Sequence, residues 1–177
     1  SIEGCRSGFP VPSTNTTDFL SFGNRIIIST DKGLGVLRGA SIQTIKGENG
    51  LPFENTTCLE KGFDNDLWIG TTNGAIRMLE NDWHFFGADH WLPGNIINDI
   101  AVQNKTVCFA TDKGIGIINY EPYTLQKKVF YFEKHLDEMG HKRLGFIHML
   151  YKKDNSWIRE ISDNDGGHTA PYLAAMC

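Results

Sequence analysis

Arg25-Ile26-Ile27-Ile28-Ser29-Thr30-Asp31-Lys32-Gly33-Leu34-Gly35-Val36-Leu37 returns, with substitutions, as Val107-Cys108-Phe109-Ala110-Thr111-Asp112-Lys113-Gly114-Ile115-Gly116-Ile117-Ile118. Between the two stands Leu67-Trp68-Ile69-Gly70-Thr71-Thr72-Asn73-Gly74-Ala75-Ile76-Arg77-Met78-Leu79. The threonines at 30, 71 and 111 recur every 40 residues or so, a period that belongs to repeat architectures. A second anchor keeps the same spacing: Leu51-Pro52 precedes Asn55, and Leu92-Pro93 precedes Asn95. Two anchors in one register make the repeat a property of the chain rather than a coincidence.

Each unit reads as four strands. A mixed run such as Ile97 to Val102 comes first, then an apolar run (Leu67 to Thr71, Val107 to Thr111), then a tight Asp-Lys-Gly or Thr-Asn-Gly turn. Gly33, Gly74 and Gly114 supply the positive φ that such a hairpin demands. A third strand follows (Leu34 to Leu37, Ala75 to Leu79, Ile115 to Ile118), and a weaker fourth (Ile42 to Ile45, Trp83 to Phe86, Lys128 to Phe132) completes the unit. Short apolar strands separated by turn signals are the all-β pattern, and four strands at this period argue for a β-propeller rather than a sandwich. The expected organisation is an N-terminal segment over 1–16, then blades over 17–47, 56–87, 96–132 and 145–160, then a junction and helix start over 161–177.

The fourth unit departs from the pattern. Phe146 to Tyr151 and Ser156-Trp157-Ile158 match earlier strands, but a charged insertion from Glu133 to Leu144 precedes them, and Ile161 to Gly167 replaces the hairpin. Thr169-Ala170-Pro171-Tyr172-Leu173 reads as a helix start, with a Thr cap and Pro in the first turn. About three and a half blades sit at or below the smallest closed propeller, so further blades are expected from a missing segment or a second chain, and the polypeptide is expected to be part of a longer one.

Composition narrows the function. The chain has 177 residues, 40% of them apolar, and a formal charge of −4, which describes a folded domain with a core. It carries no Lys/Arg block, so no nucleic-acid partner is expected. Its apolar runs fall far short of the ~20 residues of a membrane helix. Cys5, Cys58, Cys108 and Cys177 are too scattered for a disulfide scaffold or a CxxC metal site. Cys58 and Cys108 fall on strands as small buried hydrophobes, while Cys5 and Cys177 lie outside the repeats and have each other or further chain as partners.

Asp66-Leu67-Trp68-Ile69-Gly70-Thr71-x-x-Gly74 and Leu92-Pro93-x-Asn95-x-Ile97-x-x-Ile100 resemble the repeat of two-component-regulator propellers. These are the extracellular ligand-sensing blades of hybrid sensor kinases and related secreted proteins. The resemblance is close over residues 17–132 and loose over 145–160. Two units replace the family's Trp-Ile-Gly-Thr with Ile27-Ile28-Ser29-Thr30 and Cys108-Phe109-Ala110-Thr111, swaps that stay within core chemistry. Ser162-Asp163-Asn164-Asp165-Gly166 followed by a helix is similar to the junction between such propellers and a helical domain in some secreted proteins. The resemblance implies an extracellular ligand-binding role; with no kinase-like segment in the sequence, the family's signalling step is not carried over.

Several motifs invite chemistry. Gly33-Leu34-Gly35 and Gly114-Ile115-Gly116 recur at the repeat spacing, so they read as hairpin turns and not dinucleotide loops. The histidines at 84, 90, 135, 141, 148 and 168 show no HExxH or other ligand spacing. Asp163-Asn164-Asp165-Gly166-Gly167 has the oxygen density of a calcium loop without its distant Glu; a turn is the plainer reading, Asp163 and Asp165 being the weak candidates for a cation. No metal, cofactor or catalytic constellation is expected. Trp68 and Trp157 hold one place in the repeat and read as core between blades. Trp83, His84, Asp89, His90 and Trp91 flank the connection between the second and third units, and aromatic faces beside carboxylates suit sugar rings. The alternative is that Trp83 and Phe85 are ordinary fourth-strand residues. The sequons at Asn15, Asn55 and Asn104 fall on expected surface loops and are glycosylation candidates if the source is eukaryotic.

The expected protein is therefore an all-β, propeller-type array of four-stranded repeats with a short helical C-terminus. Its expected function is a non-catalytic extracellular or secreted module that binds a glycan or small extracellular ligand. An accessory propeller of a secreted carbohydrate-active enzyme, whose helical catalytic domain begins near Thr169, is the enzyme reading; a scaffold for protein partners is the third.

Overall fold

The hairpin at each anchor threonine sets the architecture. The computed structural model describes residues 10–176; Cys5 and Cys177, and so any pairing between them, lie outside the described residues. Strands β1 (Thr16–Phe22), β2 (Arg25–Thr30), β3 (Gly33–Arg38) and β4 (Ser41–Ile45) form an antiparallel sheet in chain order. Strands β5 (Thr56–Lys61), β6 (Leu67–Thr71), β7 (Gly74–Leu79) and β8 (Asp82–Phe86) repeat it. Strands β9 (Ile97–Gln103), β10 (Thr106–Thr111) and β11 (Gly114–Asn119) make a third sheet with the same order. These are propeller-type sheets, and the chain divides into two compact units between Glu121 and Pro122.

The turns are chemically identical across the repeat. Thr30 Oγ1 donates to the Gly33 carbonyl at 2.7 Å and accepts from the Lys32 N–H at 3.1 Å. Thr71 does the same with Gly74 (2.6 Å) and Asn73 (3.0 Å), and Thr111 with Gly114 (2.7 Å) and Lys113 (3.2 Å). The three glycines take φ of +108°, +94° and +137°, where a side chain is strained. One hydroxyl thus satisfies a donor and an acceptor that the two-residue loop leaves behind.

Each first strand carries a bulge at its second residue, Thr17, Thr57 and Asn98, where the register against the second strand slips by one. The bulge frees those side chains from the ladder. Thr17 Oγ1 donates to the Thr56 carbonyl at 2.9 Å and Thr57 Oγ1 to the Ile97 carbonyl at 2.6 Å, so each first strand is tied to the next.

Burial follows from the stacking. Between the first and second sheets lie Ile27, Leu34 and Val36, facing Leu59, Ile69 and Ile76, with Leu51 closing the end. Between the second and third lie Trp68 and Ala75, facing Ile97, Val107 and Phe109, with Leu92 closing the end. Every residue of β6 is buried because both its faces are covered, whereas β2 and β10 carry the same motif half-buried.

The second unit departs from the expected blade. Residues 128–132, expected as the fourth strand of the third sheet, belong to helix α1 (Leu125–Glu138), so that sheet has three strands. Thr124 caps the helix, accepting from the Lys127 N–H at 3.2 Å, and the strong helix formers around Val129-Phe130-Tyr131-Phe132 override their β propensity. The expected insertion over 133–144 is the second half of this helix and strand β12 (Lys142–Arg143). In place of a fourth blade stand two hairpins: β12 with β13 (Phe146–Ile147), and β14 (Met149–Lys153) with β15 (Ser156–Glu160). Trp157 is 63% exposed, against 0% for Trp68, so it is not the inter-blade core its repeat position suggested. Helix α2 (Asp165–Met176) begins four residues ahead of the expected Thr169 cap, with Pro171 inside it. Cys58 is buried as expected, but Cys108 is half-exposed.

Thr71→Val keeps the shape of the fully buried anchor and strands the Gly74 carbonyl and Asn73 N–H. Urea denaturation should show a loss of about 1–3 kcal/mol, while an unchanged midpoint would mean that the clasp is dispensable.

Candidate functional site

The connection between the second and third sheets is anchored at both ends. The Gly87 carbonyl accepts from the Trp91 N–H at 3.0 Å and the Leu92 N–H at 3.3 Å, and Asn95 Oδ1 accepts from the Ala88 N–H at 2.8 Å. Leu92 is buried and Pro93 lies against Gly116, where an added Cβ would come within 3.0 Å of Pro93 Cδ. The turn carrying Asp89, His90 and Trp91 is therefore held on a fixed base.

The five residues singled out from the sequence do not share one surface. Trp83 packs on the core between the first two sheets, beside Gly50, so it sits on the opposite face of β8 from His84 and Phe86. His84, Asp89 and His90 are exposed. Trp91 is 59% exposed and ends a run of aromatic rings: its centroid lies 5.5 Å from that of Phe86, Phe86 5.2 Å from Trp68, and Trp68 5.3 Å from Phe109. The exposed indole is thus backed by the core between the second and third sheets. Phe85, 45% exposed, turns to the same side as Trp83.

Reading the repeat did not reveal a buried ion pair. Arg77 stands where the first and third sheets have Val36 and Ile117, and its Nε donates to Asp66 Oδ2 at 2.5 Å. Its guanidinium lies 4.6 Å from the ring centre of Tyr120 and 5.9 Å from those of Phe63 and Trp68. Asp66 is fully buried and its Oδ1 accepts from the Asp64 N–H at 3.0 Å. Burial pushes the Tyr120 phenol up, and the nearby Arg77 charge opposes that shift. The one sequence signal was the charge itself, an Arg at a strand position otherwise aliphatic. Near the first strands, burial raises the Glu60 carboxyl, and the charges of Asp99 and Asp18 add to the shift. Burial also pushes the Cys58 thiol up to about 11, which keeps it protonated and unreactive at neutral pH.

The sequons fall where the sequence placed them. Asn15 and Asn55 immediately precede β1 and β5, Asn104 lies in the β9–β10 turn, and all three are exposed. Thr17 and Thr57, the third residues of two of these sequons, are also the bulge threonines that tie neighbouring sheets. Asp163 and Asp165 lie in the second unit. There, Asp165 Oδ2 faces His148 Nδ1 at 2.8 Å and accepts from the Ser162 N–H at 3.2 Å. Among the described residues no cluster of three or more His, Cys, Asp or Glu has a metal-binding arrangement.

Asp66→Asn should cost about 3–5 kcal/mol by leaving the Arg77 charge buried and uncompensated. Asp66→Asn combined with Arg77→Met should cost less than Asp66→Asn alone. Chemical denaturation of the set checks this, and simple additivity would mean that the pair is not coupled.

No protein-family model matches the chain, and no curated protein matches its sequence. Solved structures do. The extracellular domain described as belonging to the hybrid two component system BT4673 of B. thetaiotaomicron superposes with a TM-score of 0.52 at 18% identity, over 68% of this chain and 18% of that one. The corresponding domain of BT3049 from the same organism gives 0.53 at 15% identity, over 82% of this chain and 20% of that one. The chain therefore spans about a fifth of the length of these structures. At such identities the likeness carries the fold alone, and it is the one the repeat predicted: tandem antiparallel sheets of the propeller type.

Proposed function

We propose that the chain is a non-catalytic, extracellular ligand-binding module and that its ligand is a glycan. The carrying observation is Trp91, an exposed indole braced by Phe86 on an anchored turn, with the exposed Asp89 and His90 beside it in sequence. A flat apolar face next to hydrogen-bonding tips matches the two sides of a sugar ring. Loops on a rigid scaffold are also where binding residues concentrate. The structurally similar domains are described as extracellular parts of two-component systems, which supports a sensing role and an extracellular location. His84 joins the contact set on this reading, and Trp83 serves to hold β8 in place. Glycans at Asn15, Asn55 and Asn104 are compatible with their exposure.

The partner also includes a further sheet of the repeat. Ile115 (74% exposed) and Ile117 occupy the positions of the buried Leu34 and Val36. Asp18 accepts from its neighbour Phe19 N–H at 2.7 Å and, through its other oxygen, from Leu59 N–H of the next sheet at 2.8 Å. Asp99 already makes the first of these bonds, to Ile100 N–H at 2.9 Å. The face of β9–β11 thus presents the groups with which the first sheet grips the second. Helix α2, which covers the expected helix start near Thr169, supports the second functional reading, in which the blades are accessory to a helical catalytic domain of a secreted carbohydrate-active enzyme that begins there.

A glycan array with the native chain should show saturable binding. Trp91→Ala should weaken it about tenfold or more, while the loss of one edge contact changes stability by no more than about 1.5 kcal/mol. A flat array would favour a protein scaffold, and equal binding by the variant would move the site elsewhere. Separately, Ile117→Lys should reduce concentration-dependent self-association in sedimentation velocity. If the native chain stays monomeric and does not bind a hydrophobic dye, the open-face assignment fails.

A further inference from the structure

Resting on the open-face reading of β9–β11, we infer which sheet fills it: β1–β4 of a second copy of this chain, docked head-to-tail so that two copies close one ring. Neither end of the stack is finished as an end. A terminal repeat needs a polar outer face, yet Ile115 and Ile117 stand exposed on one side and Phe19 and Ile26 on the other. Phe19 pairs with Ile28 as Leu59 pairs with Ile69 and Ile100 with Phe109. Leu59 and Ile100 are each 5% exposed beneath a preceding sheet, whereas Phe19 is 74% exposed. Pro12 lies against Gly35 as Pro93 lies against Gly116. The first sheet thus carries the connection that elsewhere in the repeat seals an interface with the sheet before it.

The polar half of the joint is divided between the same two faces. Gly33 N–H donates to the Glu54 carbonyl at 2.8 Å across the first joint, and Gly74 N–H to the Asn95 carbonyl at 2.6 Å across the second. Among the described residues Gly114 N–H reaches no other sheet, and the place of Glu54 and Asn95 on the first sheet is held by the exposed Thr14. Thr17 and Thr57 donate to the carbonyls of Thr56 and Ile97. Asn98, exposed at the third bulge, has an amide to donate, and Thr16, the counterpart of Thr56 and Ile97, is exposed at the other end. Setting β1 of one copy beside β9 of the other brings Gly114 to the Thr14 carbonyl and Asn98 to the Thr16 carbonyl. The same placement lays Ile115 and Ile117 on Phe19 and Ile28. One contact differs. The counterpart of the Leu59 N–H held by Asp18 Oδ2 is the Phe19 N–H, already taken by Asp18 Oδ1 of its own chain. Asp99 therefore meets a carboxylate there, and the joint is weaker for it. A joint of unlike faces polymerises unless its rotation closes. Three sheets per copy make six in a dimer, inside the roughly four to eight blades of closed propellers, and nine in a trimer, outside it.

Sedimentation velocity on the full chain should show a dimer that dissociates on dilution. Phe19→Glu and Ile117→Lys damage opposite faces at exposed positions. Each should raise the dissociation constant about tenfold or more with an unchanged circular-dichroism spectrum. An equimolar mixture of the two variants should dimerise more tightly than either alone, because the intact first sheet of the Ile117→Lys chain fits the intact third sheet of the Phe19→Glu chain. Asp99→Asn should tighten the native dimer. If either variant misfolds, the half-exposed Cys108 decides: its iodoacetamide labelling, read by peptide mapping, should fall as the native chain is concentrated. A monomer that binds a hydrophobic dye leaves the open face standing and overturns the second copy; a monomer that binds none overturns both. Assembly without limit, or a dimer that Phe19→Glu spares, overturns the closed head-to-tail ring.

Discussion

A four-stranded sheet with aliphatic side chains on both faces cannot stand alone in water, and this constraint organises the first unit. β6 is buried along its whole length because the second sheet has a neighbour on either side. The motif that produces that strand also produces β2 and β10, yet these are half-exposed. Burial is thus a property of position in the stack and not of the strand sequence. The stack also gives the Trp91 turn its stiffness: Leu92 reaches into the same core that seats Trp68 and Phe109, so a surface residue inherits the rigidity of the interface beneath it.

Stacking alone does not fix the spacing or register of the sheets. The first strands are edge strands, and their outward backbone groups require partners. The bulge threonines meet that need, because moving a residue out of the ladder aims its hydroxyl at the next sheet's carbonyl. Thr56 adds a reciprocal pair with Thr30, donating to its carbonyl at 2.8 Å and accepting from its N–H at 3.0 Å. The Asn-Thr-Thr runs that look like modification signals at 15 and 55 are therefore also the sequence of this joint, which explains their return at the repeat spacing without any appeal to glycans.

What the sequence disclosed follows the same division. The threonines, the glycine turns and the Leu-Pro pairs recur in register, so the repeat and the role of the glycines were legible, whereas the threonine clasp needed the structure; the propeller class was legible too, since period and strand count together leave few alternatives. A third copy of the Leu-Pro anchor, Val11-Pro12 ahead of Asn15, was present but disguised by its valine, and Pro12 lies against Gly35. The failures came where periodicity lapses. Val129-Phe130-Tyr131-Phe132 has strand propensity and fell near the expected register, but the Thr124 cap and the surrounding helix formers prevailed. Of the residues singled out, His84, Asp89, His90 and Trp91 are exposed, whereas Trp83 packs on the core between the first two sheets, on the other face of β8 from His84. Arg77–Asp66 and His148–Asp165 are joined across 11 and 17 residues by folding alone, and no local pattern announces such pairs.

The two units use burial for different ends. In the first, buried polar groups serve the apolar stack: the threonines close turns and joints, and the Arg77–Asp66 pair is enclosed by aromatic rings at the edge of a hydrophobic interface. In the second, the described buried side chains are themselves the polar cluster, while large apolar residues such as Phe130, Phe132 and Trp157 remain exposed. Polar clusters contribute less net stability than apolar burial but fix geometry sharply, since each hydrogen bond is directional and each lost partner is penalised. A chain segment that concentrates burial on His148, Asp165 and Thr169 therefore fixes the first turn of α2 against β13 through directional bonds rather than through apolar packing.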